Sequence, residues 1–282
     1  MRKIVIPTDF SENAMNAVRY ALELFKYEKC DVYIINAFAD EIYDHTTSAS
    51  RDSFEKLKET VHKNSEKQLE DIVEQIEEIS PNPRHTYQAL SIFGSLVDET
   101  NDLVDKENID IVIMGTRGKT NDKHLTFGSN TLQVLKYVKC PVLAIPSSFT
   151  YKRPKRILFP TDYLLPFKRR ELKLLSTLTK SFRSSIHFLH STKAKTLSIR
   201  QEDNKLFLQG SLPDIELKFI SVDATDLTQM INEFIALNHI DFLVMVNSRH
   251  SYLEHMLYQS TIDKIGLHVK IPFLTMQNLQ RY

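Results

Sequence analysis

The chain repeats itself, and that restricts its fold more than any other property of its 282 residues. KIVIPTDF at 3–10 returns as RILFPTDY at 156–163, an offset of 153. IDIVIMG at 109–115 returns as IDFLVMV at 240–246, and KCPVLAIP at 139–146 as KIPFLTMQ at 270–277, both offset by 131. Three matches in one order predict two copies of one unit, at 1–149 and 153–282, with SSFTYKRP as the joint. The drop in offset from 153 to 131 places 22 missing residues early in the second copy. There the first copy has SFEKLKETVHKNSEKQLEDIVEQIEEI, whose Leu57, Val61, Leu69, Ile72, Val73 and Ile76 recur at helical spacing. The second copy has only STKAKTLSIRQEDNKLFLQG.

Within copy one, the apolar runs KIVIPT, CDVYIINAF, RHTYQAL, DIVIMG and PVLAIP alternate with segments of helical period. Copy two follows with RILFPTD, SIHFLHS, IELKFISV, DFLVMV and PFLTM. Continuous apolar strands separated by helices predict an α/β fold with parallel strands covered on both faces. Right-handed crossovers make each copy a doubly wound, Rossmann-like five-stranded domain.

No stretch approaches the roughly 18 apolar residues of a membrane span. The opening MRKIVIPTDF reads as a strand start and not an export signal, so a cytoplasmic protein is expected, with no membrane partner. Formal net charge is +0, but residues 1–150 carry 17 Lys and Arg against 24 Asp and Glu, and residues 151–282 carry 19 against 12. Opposite signs favour docking of the halves and argue against one broad basic face for nucleic acid. Cys30 and Cys140 have no metal-ligand spacing and are expected as buried thiols.

The stretch GTRGKTNDKHLTFGSNT at 115–131 contains GKT after an apolar run, which invites a P-loop reading. Spacing rejects it, because the required first glycine falls on Ile113. The glycines still matter: three of the chain's six, Gly115, Gly118 and Gly128, lie here. Glycine loses the most backbone freedom on folding, so the loop needs positive φ or close backbone approach. After Gly128 a helix begins with Ser129 as the expected N-cap, and its first N–H groups suit an anion. Arg117, Lys119, Lys123 and His124 add charge nearby.

Gly115, Gly118, Gly128 and Ser129 fit the spacing G-x2-G-x9-G-[ST], which resembles the nucleotide signature of the ATP-binding branch of the universal stress protein family. IVIPTDFSENA is similar to that family's first strand and CPVLAIP to its last, so the chain resembles a tandem member. The resemblance implies an adenine nucleotide α-hydrolase-like fold and ATP, with or without Mg, as ligand. It implies that Pro7, Thr8 and Asp9 line the adenine and ribose end with Ala37 beside the base. Met114, Gly115, Arg117 and Gly118 would hold ribose and inner phosphates, while Gly128, Ser129, Asn130 and Thr131 donate to the terminal ones. Asn130 stands where the family often has valine. Family domains commonly pair through their last strands, which implies that PVLAIP meets PFLTM; whether two chains then associate as a homodimer stays open.

In the second copy Gly115, Gly118 and Gly128 correspond to Val246, Arg249 and Gln259, while Ser129 becomes Ser260 and Asp162 survives in PTDY. One nucleotide per chain is therefore expected. His187 and His190 are three apart on a strand, so they face opposite ways and do not share a metal. His250 and His255 with Glu254 form a loose metal candidate with solvated loop histidines as the simpler reading. No catalytic residue stands out, and Asp9 suits ligand orientation better than general-base work. The main expectation is a nucleotide-dependent binding module of a stress response. Slow ATP hydrolysis or adenylyl transfer at the same loop, and an interaction scaffold without nucleotide, are the alternatives.

Overall fold

A computed structural model describes residues 1–45, 50–118, 127–164, 167–191, 196–248, 251, 253 and 270–278. The first half runs β1 (Arg2–Pro7), α1 (Glu12–Leu24), β2 (Cys30–Ala37), α2 (Ala39–His45), α3 (Arg51–Ile79), β3 (His85–Ile92), α4 (Leu96–Glu107), β4 (Ile111–Gly115), α5 (Ser129–Tyr137) and β5 (Val142–Ile145). The second runs β6 (Arg156–Pro160), α6 (Arg169–Phe182), β7 (Ser185–Ser191), α7 (Ile199–Ser211), β8 (Glu216–Val222), α8 (Leu227–Leu237), β9 (Phe242–Asn247) and β10 (Phe273–Gln277).

All ten strands join one sheet in the order β3-β2-β1-β4-β5-β10-β9-β6-β7-β8. Both halves therefore start in the middle, step outward twice, and cross back to the far side of their first strand. The described pairs within each half are parallel. The join between halves is antiparallel, with Phe273 opposite Ala144, Leu274 opposite Leu143 and Thr275 opposite Val142. The expected meeting of PVLAIP with PFLTM is this join.

Strand alternation builds the core. Ile4, Ile6, Val32 and Ile34 face one layer of helices, and Val5, Tyr33 and Ile35 face the other. Each such side chain, 4% exposed or less, contributes about 1.5–3 kcal/mol through removal from water. This two-sided burial is why the strands read as unbroken apolar runs. The helices begin where a polar side chain accepts a first-turn N–H, Ser11 from Ala14 at 3.2 Å and Asp226 from Gln229 at 3.0 Å. Ser198 and Gln201 form a reciprocal capping box on α7.

The long charged segment is one 29-residue helix, α3, where the second half has the 13-residue α7. Leu69, Ile72 and Ile76 are buried, and Leu57, Val61 and Val73 half-buried. The joint is tied down: Asn16 donates its amide to the carbonyls of Pro146 at 3.3 Å and Phe149 at 3.2 Å. Tyr151 meets Tyr20 edge-on at 5.3 Å. Among the described residues no helix is long and apolar enough to cross a membrane.

Candidate functional site

In a doubly wound sheet the crevice for a ligand lies past the carboxyl ends of the strands where their order reverses. In the first half that point falls between β1 and β4. Pro7 ends β1 and pairs with Ile35, two residues before Ala37 ends β2. Met114 and Gly115 end β4 beside β1. Pro7, Ala37, Met114 and Gly115 thus lie at the carboxyl ends of three neighbouring strands.

Side chains behind the crevice hold it in shape. Asn36 donates to the Thr8 carbonyl at 2.8 Å and accepts from Ser65 of α3 at 2.9 Å, a buried relay from helix to strand end. Sequence reasoning passed over Ser65, because only its burial amid a charged face marks it. Thr8 Oγ1 accepts the Phe10 N–H at 3.0 Å, in a turn that sets Phe10 at φ 65°. Asp9 Oδ1 accepts the Ser11 hydroxyl at 2.6 Å and the Ser11 N–H at 3.1 Å, which fixes the carboxylate. Its Oδ2 lies against Gly118, where a Cβ would stand 2.7 Å away.

The glycines meet the expectation of close approach and not that of positive φ, since no described glycine has positive φ. A Cβ on Gly115 would stand 3.1 Å from the Asn13 carbonyl oxygen and 3.2 Å from that of Arg117. Both neighbours are backbone and yield little. Gly128 differs: a Cβ there would meet the Arg117 Cα at 3.6 Å and the Gly118 nitrogen at 3.8 Å, ordinary contact. Among the described residues nothing demands glycine at 128.

Gly128 donates its N–H to Thr116 O at 2.8 Å, which folds the end of the loop back on its start. It is also the N-cap of α5, with extended φ −70° and ψ 164°. This corrects the expectation of Ser129, which is the first helical residue. A glycine cap offers no side-chain acceptor, and none caps α5. The N–H groups of Ser129, Asn130 and Thr131 form the first turn, where the helix dipole favours an anion. Thr131 is buried, and its hydroxyl donates to the Gly115 carbonyl at 3.0 Å, locking helix to strand. Lys119, Lys123 and His124 lie outside the described residues.

Both ends of α5 touch the second half. Phe127, just before the cap, packs on Phe273 of β10 at 5.7 Å. At the other end Asn247 donates to Leu135 O at 3.1 Å and Lys136 O at 3.2 Å, and Gln277 donates to Leu135 O at 2.9 Å.

The second half's reversal point, between β6 and β9, is built differently. His190 takes the place of Asn36, and its Nδ1 donates to the Thr161 carbonyl at 3.0 Å. Tyr163, 2% exposed, packs on that ring at 5.2 Å. Phe167 closes edge-on over Phe159 at 5.8 Å. Val246 stands buried at the position of Gly115. His187 packs on Phe234 of the opposite layer, so the two histidines face apart as expected, and burial lowers its pKa from 6.5. Arg249, His250, Glu254, His255, Gln259 and Ser260 lie outside the described residues.

Cys30 and Cys140 are free and buried, and burial pushes the Cys30 thiol up to about 12. Neither touches the crevice residues.

The universal stress protein family profile matches residues 1–146. Two universal stress proteins of Methanocaldococcus jannaschii are similar. One is 28% identical over 155 residues, covering 55% of this chain and 84% of the relative. The other is 29% identical over 157 residues, covering 51% and 94%. The crystal structure of a universal stress protein from Archaeoglobus fulgidus shares the fold over 98% of both chains, with a TM-score of 0.63 and 18% identity. That likeness takes in the second half, which folds as the first does. With the profile spanning residues 1–146 and the glycine loop inside it, the chain belongs to the universal stress protein family.

Proposed function

We propose that the first half binds one adenine nucleotide, ATP, at the β1–β4 crevice, and that the chain acts as a nucleotide-dependent binding module. The observation that carries this reading is Gly128. Among the described residues a Cβ there meets only ordinary contacts, yet the residue is glycine and caps α5 without a side-chain acceptor of its own. A phosphate seated on the N–H groups of Ser129, Asn130 and Thr131 gives both features a reason. Gly115 and Gly118 keep the strand end and loop within reach, Arg117 adds charge, and Met114 walls the ribose. Pro7, Thr8 and Asp9, held by Asn36 and Ser11, take the adenine and ribose end beside Ala37. Mg, where bound, would partner the phosphates.

We take 1–149 and 153–282 as two domains, of which the second carries no equivalent nucleotide site: Val246 replaces Gly115, and Tyr163 and Phe167 fill space near its strand ends. Asp9 orients ligand, its carboxylate held by the Ser11 N–H and hydroxyl on Oδ1. A cytoplasmic setting fits this role.

Calorimetric titration of the full chain with ATP tests the reading, with one nucleotide per chain expected. Two equivalent sites would overturn the single-site assignment. No heat and no thermal shift would overturn nucleotide binding and leave a scaffold. Phosphate release that disappears in Gly118→Ala would make the site an enzyme.

A further inference from the structure

A second cavity lies at the opposite, amino-terminal ends of the first half's strands, where α6 of the second half leans against them. It holds about 640 Å³, within the range of small-molecule sites. Six cations line it: Arg2, Lys29, Lys139, Lys168, Arg170 and Lys173. They come from β1, the turns before β2 and β5, and the start of α6, so neither half forms the cavity alone.

Three carboxylates also line it, and each is engaged. Glu28 pairs with Arg2 at 2.7 Å. Asp110 accepts the Lys3 N–H at 3.0 Å and pairs with Arg170 at 3.6 Å. Glu171 is buried in the first turn of α6, where a helix N-terminus favours a carboxylate. Lys139 is paired with Asp105 at 2.6 Å, so the other five cations stand against three carboxylates, and a concave wall focuses that positive surplus.

The two guanidinium groups are already placed. Arg2 is held by Glu28 and lies over the Phe25 ring at 5.2 Å. Arg170 reaches across the seam to the carbonyls of Asn108 at 3.5 Å and Ile109 at 3.4 Å. Fixed arginines favour the forked geometry of phosphate oxygens, and Lys29 and Lys173 add point charges on opposite walls. Pro141 and Leu174 give an apolar stretch of wall. An adjoining groove with Arg169 and Lys180 extends the same sign of charge along α6.

We propose that this seam cavity is a second ligand site, for a small molecule bearing two or more phosphates, separate from the β1–β4 crevice. Its occupant touches both halves and so binds their packed arrangement.

Inorganic pyrophosphate is the probe, titrated into the full-length Gly128→Val chain at 0.15 M salt, with the other anion crevice closed. The expected result is saturable binding of one pyrophosphate with a rise in Tm. Arg170→Gln with Lys173→Gln, both exposed, should weaken it by about tenfold or more, since each lost charge-assisted bond contributes roughly that factor. Lys29→Gln on the opposite wall should weaken it as well, with its unliganded Tm unchanged, which separates lost binding from any loss of the Arg170 seam contacts. Binding absent from Gly128→Val overturns the proposal, as does binding indifferent to these substitutions or abolished by 0.15 M salt. Because the β1–β4 crevice is blocked throughout, failure of the ATP reading leaves these outcomes unaffected.

Discussion

The side-chain amide of Asn247 donates to the carbonyl oxygen of Leu135 at 3.1 Å, so a strand end in the second half caps a helix in the first. Its other contacts are Lys136 O at 3.2 Å and Gln277 Oε1 at 2.9 Å, and the residue is 5% exposed. Helix carbonyls without partners are costly when buried. Asn247→Ala is expected to cost about 1–3 kcal/mol, seen as a lower midpoint in urea denaturation. Asn247→Asp should cost at least as much despite its similar shape, because a carboxylate meets carbonyl oxygens at the negative end of the α5 dipole. An unchanged midpoint in both variants would refute the capping role.

The glycines differ in how tightly the backbone packs against them. Gly115→Ala brings a Cβ to 3.1 Å from backbone oxygen and should destabilise the chain by about 1–3 kcal/mol with or without ATP. Gly128→Ala meets ordinary contacts and should change stability by about 1 kcal/mol or less, while ATP affinity falls. Thermal melts of both variants, apo and with ATP, decide this. Equal losses of apo stability would place Gly128 among the structural glycines.

Acid weakens the protein through His187. Burial lowers its folded pKa below 6.5, so the unfolded chain binds the proton more readily. This contribution is fully present above pH 6.5 and is lost as pH falls toward the folded value. Unfolding free energy measured from pH 7.5 to 5 should fall less steeply in His187→Gln than in the parent chain.

Neither thiol should react in the folded protein. With Cys30 held up to about 12 and Cys140 buried, iodoacetamide at pH 8 should label no cysteine until denaturant is added, and then two. Labelling of the native chain would show that β2 or the turn before β5 opens locally.

The central strands were legible because they are buried on both faces and so written as unbroken apolar runs between polar turns, while the edge strands β3 and β8 are half-exposed and mixed. The loop was legible because glycine is scarce: GTRG and GSNT stand out in a chain with so few. What escaped was long-range or context-bound. Asn247 lies 112 residues from Leu135 and Gln277 lies 142, and no local pattern announces that an amide at a strand end will cap a distant helix. Ser129 looked like the cap because serine is the better cap in isolation. The chain instead starts α5 one residue earlier than a Ser129 cap would, with Gly128 as the cap and its backbone folded onto Thr116. The short α2, Ala39–His45, was also missed, since seven residues carry too little periodicity to register.

The antiparallel β5–β10 join has a last consequence. A pair of separate subunits held by such an edge would come apart on dilution and would carry every substitution twice, once on each side of the axis. Here the partner is covalently tethered, so the pairing is insensitive to protein concentration. Each side is also free to differ from the other. One edge can keep bare glycine where the other places valine, and can supply amides for which the first has no counterpart: Thr116 and Pro146 stand where Asn247 and Gln277 do. The tethered contact is thus asymmetric: the second half supplies Asn247 and Gln277 to hold the first half's α5 in place, and the first half returns no counterpart from Thr116 and Pro146.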